Sequence, residues 1–200
     1  MKFKFFLKST FVMPCLFFFL SACEDTNKET TKTTTTEESK EVAEESNEAK
    51  FKREAEKDAQ YVVDAYSAGL LEVKAAAEAS KKAVSKDVKN LATMIATAHE
   101  SMNGKIKALA ASKNITLPTG LTDNQNDKLE NWRKEERKDY EKDFVDMMVK
   151  GHKDAVDLYE KVASNATDPE IKAWASQTLP DLRKHLDMTN VTWDKVKDMK

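Results

Sequence analysis

Residues 51–82 read FKREAEKDAQYVVDAYSAGLLEVKAAAEASKK. Apolar side chains recur at Phe51, Ala55, Ala59, Val62, Tyr66, Leu70, Val73 and Ala77, in steps of three and four. That period lays them along one stripe of an α-helix. A second row, Ala65, Gly69, Glu72 and Ala76, runs beside it. Its small residues let another helix approach closely. Glu72 stands out among them, because a buried charge is costly unless it is paired.

The same period continues down the chain. A second helix is expected over Lys86–Ser112, with Val88, Leu91, Ile95, Met102, Ile106 and Leu109 facing inward. Pro118 and Gly120 break the pattern within the loop Asn114–Thr122. A short polar helix follows from Asp123 to about Arg137, capped by Thr122 or Asp123. A third long helix starts near Asp139 and carries Tyr140, Phe144, Met148, Val156 and Tyr159. Asp168 caps the fourth, with Pro169 at its first position. Its stripe is Ile171, Trp174, Ala175, Leu179, Leu182, Leu186, Trp193 and Val196, and Pro180 predicts a kink or restart. Strand-type alternation is absent, and only four glycines and four prolines are available for turns. The expected fold is all-α: an antiparallel four-helix bundle with an extra short helix before the third long one.

Outside residues 50–200 the chain changes character. Residues 24–49 include Thr30-Thr31-Lys32-Thr33-Thr34-Thr35-Thr36 and Glu37-Glu38-Ser39-Lys40-Glu41, which offer too little apolar surface to offset ordering entropy. They read as a disordered tether. Before them, Lys2, Lys4 and Lys8 precede an apolar run from Phe11 to Leu20, and Leu20-Ser21-Ala22-Cys23 closes the segment. The run is shorter than the roughly 20 residues that a membrane-spanning helix needs, and it suits a secretory signal. The closing tetrapeptide resembles a bacterial lipobox. The expectation is a signal peptide over 1–22 and a lipid-bearing Cys23. Two or more acyl chains there would hold the protein stably on a membrane. The expected location is the bacterial cell envelope, as an outer-membrane lipoprotein facing the periplasm or the cell surface.

Composition narrows the chemistry. Cys15 and Cys23 are the two cysteines, so the helical part has no thiol for a disulfide or a Cys-ligated metal. Lysine and arginine total 33 against 35 acidic residues, interspersed and without a basic stripe, which argues against a nucleic-acid partner. No protein partner is legible. No nucleophile–base pair, phosphate loop or nucleotide fingerprint is present, which points away from catalysis. Met94, Met102, Met147, Met148 and Met188 read as core filling. Trp132, Trp174 and Trp193 read as packing residues or interface anchors, and the Lys/Glu runs around Arg133 to Lys142 as a solvated face.

The three histidines carry the sharpest signal. His99, His152 and His185 fall one on each of the second, third and fourth long helices, and Glu72 falls on the first. Glu72 lies about a dozen residues before the first hairpin and His99 about fourteen after it. His152 and His185 flank the other hairpin at about fourteen and sixteen residues. With a rise of about 1.5 Å per residue, all four reach mid-bundle, where bundles build metal sites. Three imidazoles and a carboxylate suit zinc, copper or iron. Asp181, one turn before His185, is placed to support it. Residues three before the histidines are Ala96, Val149 and Leu182, so the Glu-x-x-His pair of di-iron bundles is absent. The alternative is that these residues make buried hydrogen bonds or sit at the bundle rim.

Residues 50–195 resemble the DUF4142 family of predicted exported or outer-membrane proteins. The matching stretches are Ala65-x3-Gly69-x2-Glu72; Met94-x4-His99 with Leu109-Ala110 and Leu117-Pro118; Tyr140-x3-Phe144-x2-Met147-Met148-Val149-x2-His152; and Ala173-x-Ala175 with Leu179-Pro180-x-Leu182-x2-His185-Leu186. The resemblance implies a ferritin-like bundle and an envelope location, and supplies no reaction. The chain departs from the family pattern at Tyr140-Glu141, where Phe-Asp is common, and at Ala98 and Gly151, where an acidic residue often precedes the histidine. Three readings follow: an envelope lipoprotein with a helical domain of unassigned chemistry, a metal-binding or metal-handling bundle, and an adhesion or interaction module.

Overall fold

A computed structural model describes residues 36–198. The segments read as a signal peptide, a lipid-bearing Cys23 and the first part of a tether, up to residue 35, lie outside the described residues. The described chain is all-helical: α1 (Thr36–Lys50), α2 (Glu54–Lys82), α3 (Lys86–Ser112), α4 (Asp123–Arg133), α5 (Arg137–Asn165) and α6 (Pro169–Val196). The described residues all fall within one compact unit. No described helix is long and apolar enough to cross a membrane.

Two apolar clusters fix the directions of the long helices. One joins the end of α2 (Ala75, Ala79), the start of α3 (Val88, Leu91, Ile95), the start of α5 (Phe144, Met148) and the end of α6 (Val196). The other joins the start of α2 (Val62, Tyr66), the end of α3 (Ile106, Ala110), the end of α5 (Tyr159, Val162) and the start of α6 (Ile171, Ala175). So α2 and α6 run one way, and α3 and α5 run the other. The packed neighbours α2–α3, α5–α6, α2–α5 and α3–α6 are all antiparallel. Two of the joins are tight hairpins. The third, from α3 to α5, must travel the length of the bundle. Ile115 belongs to the second cluster, while Leu121 and Leu129 belong to the first, so the loop and α4 make that climb. A bundle with one long crossover is the ferritin-like arrangement.

Each hairpin is held by a buried carboxylate from the other. At the α2–α3 turn, Glu141 of α5 accepts hydrogen bonds from the backbone N–H groups of Val84 and Ser85, the latter at 3.1 Å. At the α5–α6 turn, Asp58 of α2 accepts from the N–H of Thr167 at 2.9 Å, its hydroxyl at 2.7 Å, and the N–H of Asp168 at 2.7 Å. Both carboxylates are about as buried as core alanines. These turn donors sit at helix N-termini, which favour negative charge. Asp58→Ala leaves three donors without their acceptor. It should cost about 3 kcal/mol, read as a lower urea midpoint at unchanged slope.

The helix boundaries follow local chemistry. Thr122 and Gln125 close a capping box on α4. Asp168 caps α6 through the N–H groups of Glu170 and Ile171, with Pro169 in the first turn as expected. Lys113 adds a 2.7 Å ion pair to the same carboxylate.

Three expectations need correcting. The residues read as the last part of a disordered tether form α1, so the helical domain begins at Thr36 and not near residue 50. Helix α1 docks by polar bonds more than by an apolar stripe. Asn47 donates to the Thr116 carbonyl at 2.9 Å and accepts from the Thr116 N–H at 2.7 Å, and Lys40 pairs with Asp64 at 2.8 Å. The polar helix α4 ends at Arg133, four residues earlier than expected, and α5 starts at Arg137. Finally, α6 runs through Pro180 as one helix. The missing N–H at Pro180 costs a single backbone bond, which packing of Leu179 and Leu182 on either side outweighs.

Candidate metal centre

Between the two apolar clusters lies a polar layer. Glu72, His99, His152 and His185 meet there, one from each long helix, and all four are buried. The convergence expected from their depth in the hairpins is present. The four do not play equal parts.

His152 is fully buried, and its Nδ1 lies 2.8 Å from the carbonyl oxygen of Met148, one turn back on α5. A carbonyl only accepts, so Nδ1 carries the hydrogen and Nε2 keeps the lone pair of the neutral ring. His99 is fixed in the same sense. Its Nδ1 lies 2.8 Å from Oε2 of Glu72 and donates to that carboxylate. The two Nε2 atoms then face each other at 3.2 Å. With both rings neutral, two lone pairs point into one small space, and a cation between them resolves the repulsion. Two ligands on one tetrahedral ion at about 2.0–2.1 Å lie about 3.3–3.4 Å apart. The observed spacing is close to that bite.

His185 completes a triangle. Its ring centre is 5.5 Å from that of His99 and 5.7 Å from that of His152. Its Nδ1 is buried and has no hydrogen-bond partner. One nitrogen from each of the three rings lies within 4.8 Å of the others. Bonds of about 2 Å allow ligands at most about 4 Å apart, so the widest side of the triangle must close by about 1 Å around an ion.

Electrostatics favour the neutral, ligating form of two of the rings. Burial pushes the His152 imidazole below its usual range. Burial, with His99 and His152 nearby, pushes His185 down to about 4. Burial works against the Glu72 charge, yet the imidazoles around it, His99 first, hold the carboxyl below the ordinary carboxylate range. The layer thus keeps one buried negative charge behind the rings.

Glu72 is therefore a support for the imidazoles. Its Oε2 holds His99, and its Oε1 lies 3.5 Å from His152 Nδ1, whose hydrogen already goes to Met148. Supporting carboxylates of this kind fix the tautomer and raise the basicity of a metal-binding histidine. Asp181 shares a groove with His185 but leaves its Nδ1 unpartnered. Gly151 was not legible as a site residue. A Cβ there would stand 2.7 Å from Glu72 Oε1, so a side chain at 151 would displace the carboxylate. Its position beside His152 was the available signal. Among the methionines, Met147 and Met148 are core residues, whereas Met94 and Met188 line the groove beside His185. Trp132 packs as expected, stacked on Tyr140 at 4.3 Å between ring centres.

A family model described as "Domain of unknown function (DUF4142)" matches residues 31–191. The chain belongs to the DUF4142 family. The matched span takes in α1, which places that helix within the family's domain. This DUF4142 domain is also similar to a solved structure, the crystal structure of a DUF305 fragment from Deinococcus radiodurans. The TM-score is 0.61 at 14% identity, over 69% of this chain and 95% of that one. At that identity the likeness concerns the fold alone. The comparison with curated proteins returns no match. No chemistry therefore comes to the DUF4142 domain from a relative, and its reading rests on the layer itself.

Proposed function

We propose that this DUF4142 protein binds one transition-metal ion between His99, His152 and His185, on a domain tethered to a bacterial membrane by lipid on Cys23. The observation that carries the metal reading is the 3.2 Å approach of two Nε2 atoms whose Nδ1 atoms are both committed as donors. An all-imidazole set suits zinc, copper or iron. The site has one carboxylate, and that carboxylate is occupied behind the rings. This supports the binding or handling of a single ion over a carboxylate-bridged pair. The membrane tether is supported by the sequence of residues 1–23.

The interaction-module reading draws less support. The exposed large apolar residues among those described are Val42 on α1, Val84 at the first hairpin, and Met188 and Val191 one turn apart on α6, a pair too small to make a broad patch. Single exposed apolar residues are ordinary.

The test is direct. Residues 24–200 are stripped with a chelator and titrated with zinc, copper(II) and iron(II) by equilibrium dialysis. One of these ions should bind at one per chain. At a free concentration of 100 times Kd it should stabilise the fold by about 2.7 kcal/mol, which raises Tm by about 5–10 °C for a chain of this size. A protein that takes up none of the three, with Tm unmoved, overturns the reading.

A second variant separates site from fold. Gly151→Ala replaces a helical glycine and should gain up to about 1 kcal/mol in helix propensity. The same methyl displaces Glu72 and loosens its hold on His99. Metal affinity should therefore fall about 10–100-fold, as for lost ligand-supporting partners, while the metal-free protein keeps its helical circular dichroism, the propensity gain partly offsetting the loosened Glu72–His99 bond.

A further inference from the structure

A cavity of about 360 Å³ runs inward between α2, α3 and α5 and ends on Glu72 and His99. Its size falls at the lower end of the roughly 300–1,000 Å³ typical of small-molecule sites. The walls are mostly apolar, built from residues such as Ala68, Met102, Ile106, Ala155 and Leu158, with the Asn103 and Gln125 amides among them. The floor is different. Glu72 and Gly151 both line it, and Oε1 is the Glu72 oxygen beside Gly151. Oε2 holds His99, while His152 Nδ1, 3.5 Å from Oε1, gives its hydrogen to Met148. A buried carboxylate oxygen with acceptor capacity to spare therefore sits at the end of an apolar pocket.

We propose that this cavity binds a small neutral molecule with an apolar body and one hydroxyl group, an alcohol or a phenol, whose O–H donates to Glu72 Oε1. Three observations select that class. A purely apolar molecule would leave Oε1 dry and unpaired, at the cost of an unsatisfied charged acceptor. An ammonium would lose its hydration in a mostly apolar pocket that offers it one carboxylate oxygen in return. An anion would meet the Glu72 charge. The mouth agrees: Asp64 and Asp154 are balanced by Lys128 and Lys150, so the rim offers no net field to gather a charged ligand. The inference does not depend on a metal, because the protein alone makes the Glu72–His99 bond.

The test uses residues 24–200 with methyl-labelled methionine. Met102, Met147 and Met148 line the cavity, and Met94 and Met188 lie on the separate α3–α6 groove. Benzyl alcohol, toluene and benzylammonium are titrated while the methyl resonances are followed by NMR. Benzyl alcohol should shift the three cavity methyls saturably and leave the two groove methyls in place. Toluene and benzylammonium should bind at least about 10-fold more weakly, the scale of a hydrogen bond to a charged group. Ala155→Phe fills the pocket and should abolish the shifts, and Ala68→Leu is a milder filling that should weaken them. Equal affinity for toluene and benzyl alcohol would overturn the role of Glu72. Absence of any saturable shift at the cavity methyls would show a pocket holding solvent only, and would overturn the site. Titrations run with and without bound metal keep the outcomes apart, since failure here leaves metal stoichiometry untouched.

Discussion

Replacing His152 by alanine should abolish stoichiometric metal binding while leaving a folded bundle. His152 supplies one of the two nitrogens that already stand at ligand spacing. It is fully buried on α5, where water has little access to the place its nitrogen would leave. Loss of a direct ligand should exceed the 10–100-fold penalty for lost supporting groups, so affinity falls by more than about 100-fold. The backbone pays little for the change, because the Met148 carbonyl lies one turn back on the same helix. Removing the ring also removes the opposed lone pairs. Equilibrium dialysis and circular dichroism on the same sample read both effects. Glu72→Gln should behave differently: it keeps one ion per chain and weakens binding about 10–100-fold. If both variants lose the ion completely, Glu72 is a ligand and the division of roles proposed for the layer is wrong. If neither variant loses it, the ion sits elsewhere.

The second large effect concerns stability. Phe144→Ala should destabilise the protein by about 3–5 kcal/mol, the range for truncating a buried phenylalanine. Phe144 is fully buried in the cluster shared by α2, α3, α5 and the crossover, and its ring lies 5.9 Å from Trp132. Trp132 is itself pinned by a 2.8 Å hydrogen bond from its Nε1 to the Tyr140 carbonyl, so it cannot collapse freely into the space left. The cavity should therefore persist, which places the cost toward the upper end. At about 2–4 °C per kcal/mol for a chain of this size, Tm should drop by about 6–20 °C. A loss under about 1 kcal/mol would mean that the crossover is not packed as described. Metal affinity should be unchanged in this variant, because the imidazole layer lies between the two clusters and not within this one.

Much of this was readable in the sequence because helical period is a strong signal. The stripe from Ala59 through Leu70 and the stripe from Val88 through Ile106 place their residues in the core where the structure has them. The four polar residues were legible for a second reason. Counting outward from two hairpins fixes height along a rigid bundle, and height brought Glu72, His99, His152 and His185 together. What height cannot give is orientation around each helix axis to within an ångström. The division of Glu72 from the three imidazoles depends on that orientation.

Helix α1 escaped for a physical reason. Among its described side chains only Ala43 and Asn47 are buried, and Val42 is exposed, so no apolar stripe marks it. It is held by Asn47 on the Thr116 backbone and by Ser39, whose Oγ lies 2.7 Å from the Thr119 N–H. Such bonds require a loop 70 to 80 residues away and leave no local pattern. The hairpin carboxylates Asp58 and Glu141 were hidden for the same reason. Their partners are backbone N–H groups that any sequence would supply. The direction of the crossover followed from neither period nor composition, since short links and one long link give the same helical pattern.

The central claim is that three imidazoles hold one ion at mid-bundle. The most direct measurement is a crystal of residues 24–200 loaded with the ion that binds, with data collected at the absorption edge of that element. The account predicts one anomalous peak per chain, within about 2.0–2.2 Å of His99 Nε2 and His152 Nε2, with His185 moved inward to join them and Glu72 still bonded to His99 Nδ1. A protein that binds the ion stoichiometrically, yet shows its anomalous peak away from this layer, would contradict it.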